Sequence, residues 1–254
     1  MMLMPPFELH RPKSISDACD IAAKLLASGQ EFDWIAGGTD LIPNYKWHIN
    51  SKPHVISLAG IDGLSTISMT EIGCMARLHD IAESGEAHPL VAEAASKVAS
   101  SLIRRNATLG GNLCLDTRCF WFNQTEEWRS SIDWCHKCDC GTGADCRVIP
   151  NQNELCVATY QGDVAPTLMV LDAHVHLIGP NGERKIPISE FYKLDGMTRN
   201  VLEPGEFMLR VTMPEDIENW IGAYRKLRIR DSWDFPEAGA CLLYTSPSPR
   251  DSDT

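Results

Sequence analysis

The sequence has 254 residues, 44% of them hydrophobic and 22% charged, enough for one large domain or two small ones around a buried core. Its 34 acidic against 23 basic residues leave a net charge of −11, which disfavours a phosphate backbone or an anionic bilayer as partner, so neither nucleic acid nor membrane is expected. No apolar run approaches the roughly 18 residues of a membrane span, and the start MMLMPPFELHRP lacks a basic segment followed by an apolar stretch, which points to a cytoplasmic protein.

The first predicted element is an amphipathic helix from Ser14 to Gly29, with Ala18, Ile21, Ala22, Leu25 and Leu26 on one face and capping residues at both ends. A short strand over Phe32–Ala36 opens into Gly37-Gly38-Thr39-Asp40-Leu41, and a strand over His54–Leu58 closes a β-α-β-like unit. Residues 60–77 alternate as sheet strands do. A second helix is predicted from Pro89 to about Arg104, ending before a glycine-rich loop, Thr108-Leu109-Gly110-Gly111-Asn112. Beyond a cysteine-rich stretch come a short helix over Asp163–Asp172, a hairpin pairing His174–Ile178 with Arg184–Ile188, and a strand over Phe207–Met213. A last strand, Ala238–Leu243, runs into a Ser/Pro/Asp-rich string. Its TSPSPRD segment looks like translated adapter sequence, so 242–254 is read as a non-native tail and the natural protein as longer.

A glycine pair after a strand lets backbone approach a pyrophosphate, and successive N–H groups there form an anion-binding nest. Either Gly-Gly alone reads more simply as a tight turn. Together they carry more weight, because each places a hydroxyl or polar side chain beside the glycines: Thr39 and Asp40, then Thr108 and Asn112. The dinucleotide fingerprint G-x-G-x-x-G and the P-loop are absent, which argues against a Rossmann or P-loop site.

Seven of the ten cysteines crowd between residues 114 and 156, and a metal site is the expected reading in a reducing compartment. Cys135-x-x-Cys138-x-Cys140-x5-Cys146 could hold tetrahedral zinc, and four thiolates equally suit an iron–sulfur cluster; spacing does not choose. His136 reads as a surface residue and the His174/His176 pair as one exposed strand face. Trp121, Phe122, Trp128 and Trp134 are expected to wrap the stretch.

AGGTDL at 36–41, TLGGN at 108–112, GDVAP at 162–166 and AYRKLRIRD at 223–231, in that order, resemble the flavin subunit of the xanthine dehydrogenase and carbon monoxide dehydrogenase family. The likeness runs from about Phe7 to Gly239, and the cysteine insertion is most similar to that of the 4-hydroxybenzoyl-CoA reductase branch. The resemblance implies an α+β, two-subdomain FAD-binding fold of the PCMH/CO dehydrogenase flavoprotein type. Its parts would be a first subdomain over 1–59, a second over 60–215 carrying an iron–sulfur insertion at 114–156, and the start of a truncated C-terminal domain at 216–241. It also implies FAD contacts by Trp34, Ile35, Ala36, Gly37, Gly38, Thr39, Asp40 and Leu41 in the first loop, and by Thr108, Leu109, Gly110, Gly111 and Asn112 in the second. Val98, Asp163, Leu209 and Lys226 would complete the flavin site; plain core packing, a helix cap and a solvated charge are the simpler readings of these four.

By the same resemblance a [4Fe-4S] cluster would sit on Cys119 of DTRC, Cys135, Cys146 of the CRVI segment and Cys156 before ATY, with Cys138 and Cys140 as rival ligands. The implied protein has no catalytic residue of its own. It would pass electrons from a low-potential, ferredoxin-like donor through the cluster and FAD to a [2Fe-2S] small subunit and a molybdenum-cofactor large subunit, which would hold the substrate. Two other readings stand beside it: a flavin subunit sending electrons outward to NAD or another acceptor, and a structural zinc module whose Gly-Gly loops are only turns.

Overall fold

The computed structural model describes residues 3–137, 145–152 and 154–244. In chain order its elements are β1 (Glu8–His10), α1 (Ile15–Ala27), β2 (Phe32–Ile35), α2 (Leu41–Lys46), β3 (His54–Ser57), β4 (Glu71–Gly73), α3 (Leu78–Glu83), α4 (Pro89–Lys97), α5 (Ser101–Arg104), α6 (Leu109–Leu113), α7 (Glu126–Ser131), α8 (Val164–Val170), β5 (His174–Gly179), β6 (Gly182–Pro187), β7 (Phe207–Thr212), β8 (Ile221–Leu227) and β9 (Ala238–Tyr244).

Three sheets organise them. The first is parallel, in the order β1-β3-β2, and α1 packs Ala22 and Leu25 against Ile56 of its central strand. Ser14 caps α1 by accepting from the Asp17 N–H, as its position predicts. The second is antiparallel, β4-β7-β5-β6, with the predicted hairpin at its edge. Its inward residues, Val175, Leu177 and Val211 among them, meet Leu78, Leu90, Val91, Ala94 and Leu168 from α3, α4 and α8 in the main core. The third is the hairpin β8-β9, which runs through Leu242 to Tyr244, past the point where the composition changes. No helix among the described residues is long and apolar enough to cross a membrane.

Several expectations need correction. Residues 60–77 form only the three-residue β4 and two isolated bridges, Ile67–Ile72 and Arg77–Thr108, because turns interrupt the alternation. The helix predicted over 89–104 is broken: Val98 is extended, Ala99 takes φ 41°, and Ser100 caps a new turn by accepting from the Ile103 N–H. Thr108–Asn112 is not a loop. Thr108 accepts from the Gly111 N–H and starts the short helix α6 in spite of the glycine pair. β1, α3 and β8 went unread because they are too short or too mixed to show a period. Cys138 and Cys140 lie outside the described residues.

Candidate functional site

The strands of the first sheet are parallel, so their carboxyl ends open together, and the chain leaving β2 there faces Thr108 and α6 across a cleft of about 1140 Å³. Trp34 joins the two sides by packing on Phe207 of β7, ring centroids 4.7 Å apart. Two backbones interlock at the floor: a Cβ on Gly37 would lie 1.8 Å from the carbonyl oxygen of Asn106. Only glycine fits there. Gly38 follows at φ +68°, and among the described residues the N–H groups of Gly38, Thr39 and Asp40 find no acceptor. Consecutive unpaired donors on a turn of this kind are a nest for an oxyanion.

The wall opposite carries further unsatisfied groups. Asn112 Oδ1, Arg118 Nε and Arg199 Nε are buried with no partner among the described residues, and all three residues line the cleft. Arg118 pairs with Asp40, and burial, reinforced by Arg199, lowers the Arg118 guanidinium to about 10. Buried polar atoms left unpaired are costly, so the cleft has the donors and acceptors of a site for a polar, anionic group. A pyrophosphate-bearing nucleotide fits that donor set.

At the far side Asp163 begins α8, yet its carboxylate does not cap the helix. It accepts instead from Lys226 Nζ at 3.0 Å and from the Tyr224 hydroxyl at 2.8 Å. Burial pushes the Asp163 carboxyl up and the Lys226 ammonium down, each opposed by the attraction of the other. Asp163 faces the cleft while Lys226 stands behind it.

The cysteine stretch closes at its base through the paired backbones of Arg118 and Thr159. Within it, Cys119, Cys135, Cys146 and Cys156 line one small cavity together with His136, Lys137, Arg147, Trp121 and Phe122. Cys135, Cys146 and Cys156 are buried, and the Ile149 N–H points at Cys146 Sγ, 3.4 Å away. Gly196 leaves room for Cys156, since a Cβ there would lie 2.9 Å from its Sγ. Four thiols converging beside two cationic side chains are a soft donor set that suits an iron–sulfur cluster or zinc. Cys119 lines both this cavity and the cleft.

Most of the sequence-derived residues converge on the cleft: Trp34, Ile35, Ala36, Gly37, Gly38, Thr39, Asp40, Leu41, Val98, Thr108, Gly110, Gly111, Asn112 and Asp163 all line it. Leu109 and Leu209 do not; both are in the main core, as the packing reading of Leu209 has it. Cys114, just after α6, lies in the cleft wall with its thiol raised to about 11 by burial. His136 is a correction: both ring nitrogens are buried and unpartnered among the described residues, because the chain turns back through Asp133 and Trp134, both at positive φ. Sequence reasoning missed Arg118, Arg199 and Phe207. Of these only Arg118, adjacent to Cys119 in the DTRC motif, stood where a local signal could have found it.

A family model described as the FAD binding domain in molybdopterin dehydrogenase matches residues 5–216. The chain is 32% identical over 251 residues to the aldehyde oxidoreductase FAD-binding subunit PaoB of Escherichia coli (strain K12), spanning 91% of this chain and 75% of that one. It is 27% identical over 250 residues to the carbon monoxide dehydrogenase medium chain of Hydrogenophaga pseudoflava, spanning 95% and 70%. The structure of carbon monoxide dehydrogenase from H. pseudoflava lacking the Mo-pyranopterin moiety superposes with a TM-score of 0.70 at 24% identity, covering 97% of this chain and 72% of the other, a likeness of fold.

Proposed function

This chain belongs to the family of FAD-binding domains in molybdopterin dehydrogenases, and from that premise we propose that it is the flavin- and iron–sulfur-bearing electron-transfer subunit of a 4-hydroxybenzoyl-CoA reductase-like enzyme. Its partners in this reading are a molybdenum-cofactor large subunit, a [2Fe-2S] small subunit and a low-potential ferredoxin-like donor. Bound FAD supplies the exchange of electron pairs in single steps. The unpaired N–H groups of Gly38, Thr39 and Asp40 receive its pyrophosphate, and Thr108, Gly110, Gly111 and Asn112 close the opposite side. Asp163 would help hold the flavin in this reading, and Lys226, which donates to it, would act through it as a positioning residue.

Cys119, Cys135, Cys146 and Cys156 hold a [4Fe-4S] cluster in this reading, with Trp121 and Phe122 keeping water away and Lys137 and Arg147 offsetting its charge. The observation that carries it is Cys119, which borders the thiol cavity and the cleft at once and so supports a direct path between the two groups. Outward electron flow is the second reading; the names of the aldehyde oxidoreductase and carbon monoxide dehydrogenase relatives favour it.

Anaerobically purified protein is expected to contain FAD with about four iron and four sulfide per chain, falling sharply in Cys119→Ser and Cys146→Ser but not in Cys114→Ser. Stoichiometric zinc without iron would refute the cluster. Flavin reduction by NADH, and not by reduced ferredoxin, would reverse the assigned direction.

A further inference from the structure

The geometry points to a second metal site, for a divalent cation of the zinc class, built from Glu8, His10 and His54 on the first sheet. None of the three lines the cleft or the cysteine cavity, so this site is independent of the flavin and cluster readings. Strands β1 and β3 pair in parallel with Glu8 opposite His54. The alternation of a strand puts Glu8 and His10 on one face, and the register brings His54 to the same face.

The donor atoms converge. His10 Nε2 lies 3.2 Å from His54 Nδ1 and 3.9 Å from Glu8 Oε1, and Glu8 Oε2 lies 3.5 Å from His54 Nδ1. A tetrahedral zinc with nitrogen and oxygen ligands at about 2.0–2.1 Å requires donors about 3.3–3.4 Å apart, so a small shift of the carboxylate completes one face of the tetrahedron. The two imidazoles are mostly covered, 20% and 17% exposed, whereas Glu8 is 67% exposed. That leaves an entry path and a fourth position for water. Two imidazoles with one carboxylate select a borderline transition metal over calcium or magnesium, which take all-oxygen ligands.

A cation here would clip the three-residue edge strand β1 to the centre of the sheet whose other end delivers the Gly37-Gly38 turn. Cobalt(II), added anaerobically to untagged protein, is the probe, because thiolate-to-cobalt absorption separates cysteine sites from this one. One equivalent without that absorption is expected. It should persist in Cys146→Ser, disappear in His54→Gln, and weaken at least about tenfold in Glu8→Gln, whose exposed position leaves folding unaffected. Circular dichroism checks that His54→Gln is folded. Identical cobalt binding by wild type, E8Q and H54Q, or thiolate absorption from every bound cobalt, would overturn the site; in either case Glu8, His10 and His54 form only a hydrogen-bonded cluster.

Discussion

Lys226 donates to Asp163 at 3.0 Å with both side chains almost completely shielded from water, 2% and 3% exposed. The pair joins the hairpin β8-β9 to the first turn of α8. Removing one partner leaves the other charge buried and uncompensated, so Lys226→Met is expected to destabilise the fold by about 3–5 kcal/mol in denaturant unfolding. The double variant Asp163→Asn/Lys226→Met should cost less than the sum of the singles. Additive costs would show that the two do not depend on each other.

Gly37→Ala tests the interlock at the floor of the cleft. The new methyl would meet the Asn106 carbonyl, backbone against backbone, with no flexible side chain to yield. A loss of about 1–3 kcal/mol or more is expected, together with weaker FAD retention on gel filtration. A variant with wild-type stability and flavin content would show that the two segments are not in contact.

Glu206 supplies a pH dependence. Burial alone would raise its carboxyl, but bidentate donation from Arg184 at 2.7 Å and the Glu203 N–H outweigh that and lower it. A carboxylate lowered in the folded state adds stability that is complete above its unfolded value of about 4.3 and is lost as pH falls through the folded value. The melting temperature should therefore fall below about pH 4.3, and Glu206→Gln should lower it at neutral pH while flattening that part of the curve.

Gly196→Ala probes the cysteine cavity without removing a thiol. Its Cβ would crowd Cys156 Sγ and the Ala158 carbonyl. Iron content is expected to fall with secondary structure intact by circular dichroism, whereas an unchanged iron-to-protein ratio would mean that Cys156 is not a ligand.

The sequence could be read wherever one residue type had one local job. Periodicity and caps located α1, β2, β3, the hairpin β5-β6 and β7, most cleanly in α1 and β5, whose buried residues fall on one side only. It could not show that Ala99 breaks α4 from α5, since nothing in the apolar spacing of 89–104 records a carbonyl taken by a distant strand. α6 went unread for the opposite reason: two glycines argue for a loop, and only the Thr108 cap with the packing of Leu109 and Leu113 overrides them. Within the site, the glycine segments were legible because close backbone approach demands glycine. The walls supplied by Phe207 and Arg199 were not: Phe207 is placed by the pairing of β7 with β5, and Arg199 by a loop that binds back on Lys193 and reaches Asp116.

The interruption after Lys97 has a consequence for how this region tolerates change. The Lys97 carbonyl, left over at the end of α4, accepts from both Lys226 and Arg228, and the Ala99 carbonyl accepts from the Trp233 N–H. The third sheet is thus anchored on main-chain oxygens that every amino acid possesses. Replacing the Lys97 side chain would pass almost unnoticed by this joint, whereas Val98, in the cleft wall, and Ala99, at φ 41°, are held to their residue types on other grounds. A change that restores an unbroken helix, returning those oxygens to its own ladder, would leave the hairpin held by the Asp163–Lys226 pair and by the Tyr224 N–H on Glu93.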